Sequence, residues 1–171
     1  LSIKEIQEIV CNDLQEVNNI IIDNIGNEVP LIKDLSKHIL ASGGKRIRPM
    51  VTLLSSNLCN YSGKNHLFLA ACVEFIHTAT LLHDDVIDES KVRRGVATAN
   101  DVFGNKTSVL VGDFLFSRAF ELMVQNGSKK ILEILSKASS TIAQGEVLQL
   151  TTINDSTTSK ELYMKIIKNK T

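Results

Sequence analysis

The most constraining feature of this 171-residue sequence is an apolar residue at every third or fourth position along most of its length. The N-terminal segment is typical, with Ile3, Ile6, Val10, Leu14 and Val17 on that spacing. The spacing places apolar side chains on one face of a helix. Prolines, which break helices, occur only twice, and no segment alternates apolar and polar residues as a half-buried strand would. The sequence therefore predicts an all-α fold, an antiparallel bundle of helices with short connections.

Glycines, prolines and polar turn residues divide this pattern into separate helices. Ser108 and Ser128 are the predicted N-caps of two of them, because a serine hydroxyl accepts from the unpaired amides of a first helical turn. The polar and basic segment 90–97 is predicted to be a loop. The helices are predicted at about 3–26, 30–40, 50–58, 65–89, 108–125 and 128–150, with a last one around 162–167.

The charged residues balance, with 19 Lys and Arg against 19 Asp and Glu. A general binder of nucleic acid or of anionic membranes needs a basic excess, so we expect no nucleic-acid partner. The most apolar stretch, 67–82, is interrupted by Glu74 and His77, and no run reaches the roughly eighteen apolar residues of a membrane span. We therefore expect no transmembrane segment, no signal peptide at the N-terminus and a cytoplasmic location.

The strongest motif is acidic, Asp84-Asp85-Val86-Ile87-Asp88. On a helix, Asp84 and Asp88 lie one turn apart, with Cβ atoms about 5–6 Å from each other. Their charges repel, and the dipole near a helix C-terminus disfavours anions. A bound cation would offset both effects, and oxygen ligands this sparse suit Mg²⁺, which keeps several waters and shares substrate phosphates. A solvated acidic helix end is the alternative interpretation.

Two basic segments flank this motif in the sequence. The first, 43–49, carries Lys45, Arg46 and Arg48 in a glycine-opened stretch before a predicted helix, and the second is the Arg93-Arg94 pair. Taken alone, each is typical of a solvated surface. Together with the aspartates they form a set that binds diphosphates, because carboxylates hold Mg²⁺, Mg²⁺ holds phosphate, and cations hold the remaining charge.

Several single polar residues lie within apolar helical stretches. His77 shares a helix face with the acidic motif two turns away, and both a core position and a polar role stay open. Glu146 and Gln149 lie one turn apart, either on an exposed helix edge or facing a cavity. His38 and His66 are predicted to be surface residues.

Eight segments follow one another along the chain: GGKRIRP at 43–49, EFIHTATLLHDDVID at 74–88, RRG at 93–95, TAN at 98–100, FGN at 103–105, SVLVGDFLFSRAF at 108–120, GEVLQL at 145–150 and KT at 170–171. In this order, they resemble the trans-polyprenyl diphosphate synthases. The resemblance implies a helix bundle of the isoprenoid synthase type. It also implies an enzyme that elongates an allylic diphosphate, such as farnesyl diphosphate, with isopentenyl diphosphate, giving a long all-trans polyprenyl diphosphate for quinone side chains.

The resemblance also implies a role for the acidic motif. Asp84 and Asp88 would hold Mg²⁺ on the allylic diphosphate, and Asp85 would act beside them. Arg93 and Lys170 would bind the same diphosphate, with Lys170 counted among the catalytic residues. The diphosphate would leave the allylic substrate, and the double bond of isopentenyl diphosphate would attack the resulting allylic cation. Loss of a proton would then restore an alkene.

The resemblance implies further residues that would bind the substrates or face the growing chain. Gln149 and Thr171 would add substrate contacts. Ala79 and Thr80, one helical turn before the acidic motif, would face the growing chain, and the absence of an aromatic there predicts a long product. The residues implied for isopentenyl diphosphate are Lys45, Arg48, His77 and Arg94.

The resemblance covers the whole chain but only the first half of a family member. The family's second aspartate-rich motif is not among the matching segments. We therefore expect 1–171 to be the N-terminal half of a polyprenyl synthase domain, a bundle truncated to about half and inactive alone. Two hypotheses stay open: half of a prenyltransferase that acts as a homodimer or with a complementary C-terminal half, or a non-catalytic half-bundle protein.

Overall fold

The computed structural model describes residues 2–41 and 43–170, and nearly all of their regular structure is helical, which confirms the predicted all-α class. The chain forms two compact units, 1–127 and 128–171, and each is described by itself. The helices of unit 1 are α1 (Ile3–Ile9), α2 (Cys11–Ile25), α3 (Pro30–Ala41), α4 (Ile47–Leu58), α5 (Asn65–Ile87), α6 (Ala99–Phe103) and α7 (Asn105–Asn126). Those of unit 2 are α8 (Lys129–Leu150) and α9 (Lys160–Lys170), which contact each other.

Helix α5 is the centre of unit 1, where it packs against α2, α4 and α7. Small buried residues, including Ala70, Ala71 and Ala79, allow neighbouring helices to approach it closely. Helix α7 approaches it closely at Gly112, where an added Cβ would lie 2.4 Å from Nε2 of His83 on α5. The acidic motif at the end of α5 is thereby held by a rigid core helix.

The same helix is long and apolar enough to cross a membrane by length and composition alone. However, 56% of its most apolar window is buried against other parts of the protein. A buried core helix passes the same length test, so this observation is weak evidence for a membrane span.

The segment 90–97 contains a short antiparallel hairpin, β1 (Val92–Arg93) and β2 (Val96–Ala97), so the prediction of a plain loop there is wrong. The turn residues Arg94 and Gly95 have φ values of 53° and 78°, as a two-residue turn with positive φ at both central positions requires. Strands of two residues are too short to produce a recognisable alternation in the sequence.

The helix starts show which capping predictions hold. Ser128 caps α8, and its hydroxyl accepts from the Ile131 amide at 3.4 Å, as predicted. Ser108 does not cap a helix; it is buried inside α7, which begins at Asn105 after Gly104. Helix α4 begins before Pro49, which is tolerated because amides in a first helical turn have no helical acceptor.

Candidate active site

A cavity of about 580 Å³ opens in unit 1 between the segment before α4, helix α5 and the β-hairpin. Both predicted basic segments reach it, and so does the buried side of the acidic motif. Its wall also carries the carboxylates of Glu74 and Asp85. The cationic residues that line it are Lys45, Arg46, Arg48, Arg93 and Arg94. The fold therefore brings Asp85 of the acidic motif and both basic segments to one cavity, whereas Asp84 and Asp88 are not among its lining residues.

Asp85 and Arg93 form a forked ion pair at the cavity wall. Arg93 Nε donates to the two Asp85 oxygens at 2.9 and 3.1 Å, and its Nη2 donates to Oδ1 at 2.7 Å. Asp85 is only 5% exposed, so the pair compensates a buried carboxylate. The hydrogen bonds that Arg93 donates to Asp85, and then the charges of Asp85, Asp84 and Asp88, raise the pKa of Arg93. The Asp85 carboxylate therefore contacts the guanidinium of Arg93 on β1, and this ion pair links the hairpin to α5.

A second ion pair joins Arg46, just before α4, to Glu74 in the middle of α5. The described ion pairs of unit 1 thus engage two of the cavity cations, Arg46 and Arg93. The other cationic residues of the wall form no described ion pair with a carboxylate: Lys45, Arg48 and Arg94. Three cations with no described carboxylate partner have the charge and the hydrogen-bond donors that suit an anion with several charges, such as a diphosphate.

His77 lies on the same wall, one turn after Glu74. Its Nε2 is 3.2 Å from Nη1 of Arg48. Burial lowers the pKa of His77, and the nearby charge of Arg48 lowers it further. A guanidinium only donates hydrogen bonds, so Nε2 of the neutral ring is the acceptor and Nδ1 carries the proton. The ring is therefore a neutral member of a cationic wall.

This depressed pKa predicts a pH dependence of stability. Because the folded-state pKa of His77 lies below the unfolded value of 6.5, the unfolded chain binds the proton more readily. The contribution of His77 to stability is fully present above the unfolded pKa and is lost as pH falls through the folded pKa. The loss amounts to about 1.4 kcal/mol for each pH unit that separates the two pKa values. We expect His77→Gln to flatten the fall in free energy of unfolding between about pH 7 and 5. Urea titrations at several pH values measure it; parallel curves for both proteins would contradict it.

Asp84 lies in the last turn of α5, and Asp88 follows the last residue of that helix. Asp88 is the exposed C-cap residue, and its amide donates to the Asp84 carbonyl at 2.8 Å. Within residues 2–41 and 43–170 no group of three or more His, Cys, Asp or Glu side chains could hold a metal ion. Two carboxylates one turn apart, with Asp85 bound to Arg93, form a partial ligand set. That set fits Mg²⁺, which completes its shell with water and substrate phosphates.

The structure places the two predicted chain-length residues away from the cavity wall. Ala79 is fully buried in the core of unit 1. Thr80 is half-buried, and its hydroxyl donates to the His77 carbonyl at 2.8 Å. Neither is among the residues that line the cavity, whereas Thr78 and Leu81 are. A role for Ala79 and Thr80 in product length stays a prediction.

Two residues of the cavity wall were not expected there. His38 is half-buried, and its Nε2 lies 2.8 Å from the Ala97 carbonyl, so the prediction of a surface position is wrong. Glu74 is 7% exposed and bound to Arg46, although in the sequence it only interrupts an apolar stretch. The available signal was its position one turn before His77, where an acid in an apolar helix needs a partner. Nothing in the spacing distinguishes His38.

In unit 2, three polar residues meet where α9 packs on α8. Lys170 Nζ lies 2.9 Å from Oε2 of Glu146 and also donates to Gln149 Oε1. The helices approach closely at Gly145, where an added Cβ would be 2.9 Å from the Asn169 Cβ. Glu146 and Gln149 therefore do not form an exposed helix edge, and both have Lys170 as a polar partner. The predicted site residue Thr171 lies outside the described residues.

Comparison with known proteins identifies this arrangement. The family model described as polyprenyl synthetase matches residues 29–171. The chain is 50% identical over all 171 residues to octaprenyl diphosphate synthase from Escherichia coli strain K12, of which it covers 53%. The crystal structure of a decaprenyl diphosphate synthase from Rhodobacter capsulatus matches with a TM-score of 0.95 and 47% identity, over 99% of this chain and 52% of that one.

A polyprenyl synthase from Caulobacter crescentus CB15, solved as a complex with calcium and isoprenyl diphosphate, gives a TM-score of 0.95 at 48% identity. It is matched over 99% of this chain and 52% of its own. The chain therefore spans about half the length of the relatives it matches, with the helix arrangement of isoprenoid synthases. On this evidence the chain belongs to the polyprenyl synthetase family.

Proposed function

We propose that this chain supplies the diphosphate- and metal-binding part of a prenyltransferase that joins an allylic diphosphate to isopentenyl diphosphate. The observation that carries the proposal is the cavity wall on which Lys45, Arg48 and Arg94 form no described ion pair with a carboxylate. A long product is supported by the relatives named as octaprenyl and decaprenyl diphosphate synthases. Such a product would serve as a quinone side chain.

The acidic turn would act at the allylic substrate. Asp84 and Asp88 would hold Mg²⁺, and the bound metal supplies charge neutralisation for the departing diphosphate. The calcium and isoprenyl diphosphate named for the Caulobacter crescentus relative support a divalent cation at this kind of site. Arg93, fixed by Asp85, would keep the hairpin and its positive charge beside the same group.

The basic wall would hold isopentenyl diphosphate. Lys45, Arg48 and Arg94 would neutralise its diphosphate, and His77 would donate through Nδ1 or take up a proton as the anion arrives. In the reaction, the carbon–oxygen bond to the allylic diphosphate breaks and a carbon–carbon bond to isopentenyl diphosphate forms. A proton leaves the new chain to restore a double bond. Apolar wall residues such as Leu81 and Leu82 would exclude water from the allylic cation.

Exposed apolar side chains on α7 support a proposed partner surface. Leu110 and Val124 are each 67% exposed, and Phe120 is also exposed. Covering them would remove apolar area from water. A second copy of the chain, or the complementary half of the fold, is the proposed occupant.

Binding of inorganic pyrophosphate to the 171-residue chain tests the proposed site. Each charge-assisted hydrogen bond contributes about 1.5–3 kcal/mol, so losing both guanidinium groups in Arg48→Gln/Arg94→Gln is expected to weaken binding about 100-fold or more. Isothermal titration calorimetry with and without Mg²⁺ measures the affinity. The control is Arg118→Gln, a cation of α7 that pairs with Glu121 outside the cavity. Equal affinities for wild type and the double variant would contradict the proposed site.

A further inference from the structure

We propose that the buried Glu74 is a positioning residue for the cationic wall. Through Arg46 it fixes the segment 43–48, so that Lys45 and Arg48 face the cavity. The inference rests on the proposed function of the cavity as a diphosphate site and goes beyond it, because it assigns a role to a carboxylate that touches no diphosphate.

The burial of Glu74 is the first observation. It lies in the most apolar helix of the chain, is 7% exposed, and accepts a hydrogen bond from Nη1 of Arg46. A carboxylate removed from water is costly unless it is paired, so the Arg46 guanidinium is held at this position. The pair spans 28 residues of sequence and links the start of α4 to the middle of α5.

The backbone of Arg46 is the second observation. It has φ 48° and ψ 37°, the left-handed region, and it is the N-cap residue of α4 without a side-chain cap hydrogen bond. A non-glycine residue persists in this region only when its surroundings determine it. The left-handed turn redirects the chain between Lys45 and Arg48, which is what places both on the wall.

Besides the contact between Arg48 and His77, two exposed hydrogen bonds from other elements of unit 1 reach the backbone of the segment. Gln7 donates to the Lys45 carbonyl at 3.1 Å, and Arg94 donates to the Gly43 carbonyl. These hydrogen bonds restrain the backbone of the segment only weakly, because water competes for each of them. The ion pair to Glu74 is the buried anchor among the described contacts of this segment.

The charge of Glu74 and its proposed positioning role predict opposite changes in pyrophosphate affinity, which makes the inference testable. A negative group on the wall of an anion site repels the anion, so simple electrostatics predicts tighter pyrophosphate binding after Glu74→Gln. A positioning role predicts weaker binding, because Arg46 loses its partner and the segment is released. The sign of the change therefore separates the two.

The experiment compares Glu74→Gln with the matched control Glu121→Gln in the 171-residue chain. Glu121 also pairs with an arginine of unit 1, but at the surface and outside the cavity. We expect Glu74→Gln to weaken binding of inorganic pyrophosphate about tenfold by calorimetry. We also expect amide hydrogen exchange of residues 44–47 to become at least tenfold faster. Glu121→Gln should change neither quantity.

A double variant guards against misfolding of Glu74→Gln. Arg46→Met/Glu74→Met removes both charges, and replacing a buried ion pair with apolar residues commonly preserves the fold. Its loss of affinity should be no larger than that of Arg46→Met alone, because Glu74 acts through Arg46. Unchanged or tighter pyrophosphate binding by Glu74→Gln, or additive losses in the double variant, would overturn the inference.

The exchange measurement needs no ligand. If the wild-type chain binds no pyrophosphate, the proposed function fails. The protection of residues 44–47 then still decides whether Glu74 anchors the segment, and unchanged protection in Glu74→Gln would refute that part as well.

Discussion

Asp84→Asn is expected to lower prenyl transfer about 1,000-fold, equivalent to about 4 kcal/mol of transition-state stabilisation. The system is a chimera in which this chain replaces the aligned part of Escherichia coli octaprenyl diphosphate synthase, to which it is 50% identical. The amide keeps the shape of the side chain but loses the negative charge that would hold Mg²⁺. Incorporation of labelled isopentenyl diphosphate measures the rate, and the Mg²⁺ concentration for half-maximal rate should rise.

The control for this variant is Asp101→Asn. Asp101 is exposed on α6 and is not among the cavity-lining residues, so its loss should leave turnover and Mg²⁺ dependence unchanged. If Asp84→Asn kept more than a tenth of the activity at the same Mg²⁺ dependence, Asp84 would not be a metal ligand.

Asp85→Asn is expected to act on stability, with a loss of about 3 kcal/mol in free energy of unfolding. Asp85 is buried and accepts three hydrogen bonds from Arg93. The amide removes the compensating charge and one acceptor, which leaves the guanidinium beside an uncharged buried partner. Urea denaturation of the 171-residue chain measures the change.

A double-mutant cycle with Arg93→Gln separates this pair from other effects. The two losses should be less than additive, because each variant breaks the same contact. Glu121→Gln, which breaks the surface pair with Arg118, should cost no more than about 1 kcal/mol. A loss below that level for Asp85→Asn would show that the fork to Arg93 does not hold the hairpin on α5.

The helical fold was predictable because its signal is long and regular. Helix α5, with 23 residues, has a recognisable start, a long apolar body and an acidic end. The hairpin and the five-residue α6 were not predicted because strands and helices this short have too few residues to show a hydrophobic period. The start of α7 was misplaced because Ser108, a good cap in the sequence, is buried by tertiary packing.

The charged residues of the site were predictable from the sequence, but the ion pairs that they form with one another were not. Asp84, Asp85 and Asp88 are equivalent carboxylates in the sequence, and helical spacing groups the first with the last. Only the folded hairpin assigns Asp85 to Arg93. The pairing of Glu74 was not predictable, since its partner Arg46 lies 28 positions away and spacing carries no information about such a contact.

The most direct test of the central claim is the turnover of the wild-type chimera. Supplied with farnesyl diphosphate, isopentenyl diphosphate and Mg²⁺, it should form a long polyprenyl diphosphate at no less than about a tenth of the parent rate, a barrier difference of about 1.4 kcal/mol. A chimera that folds and binds Mg²⁺ but forms no carbon–carbon bond would contradict the account, and the chain would then be a family member without a catalytic half-site.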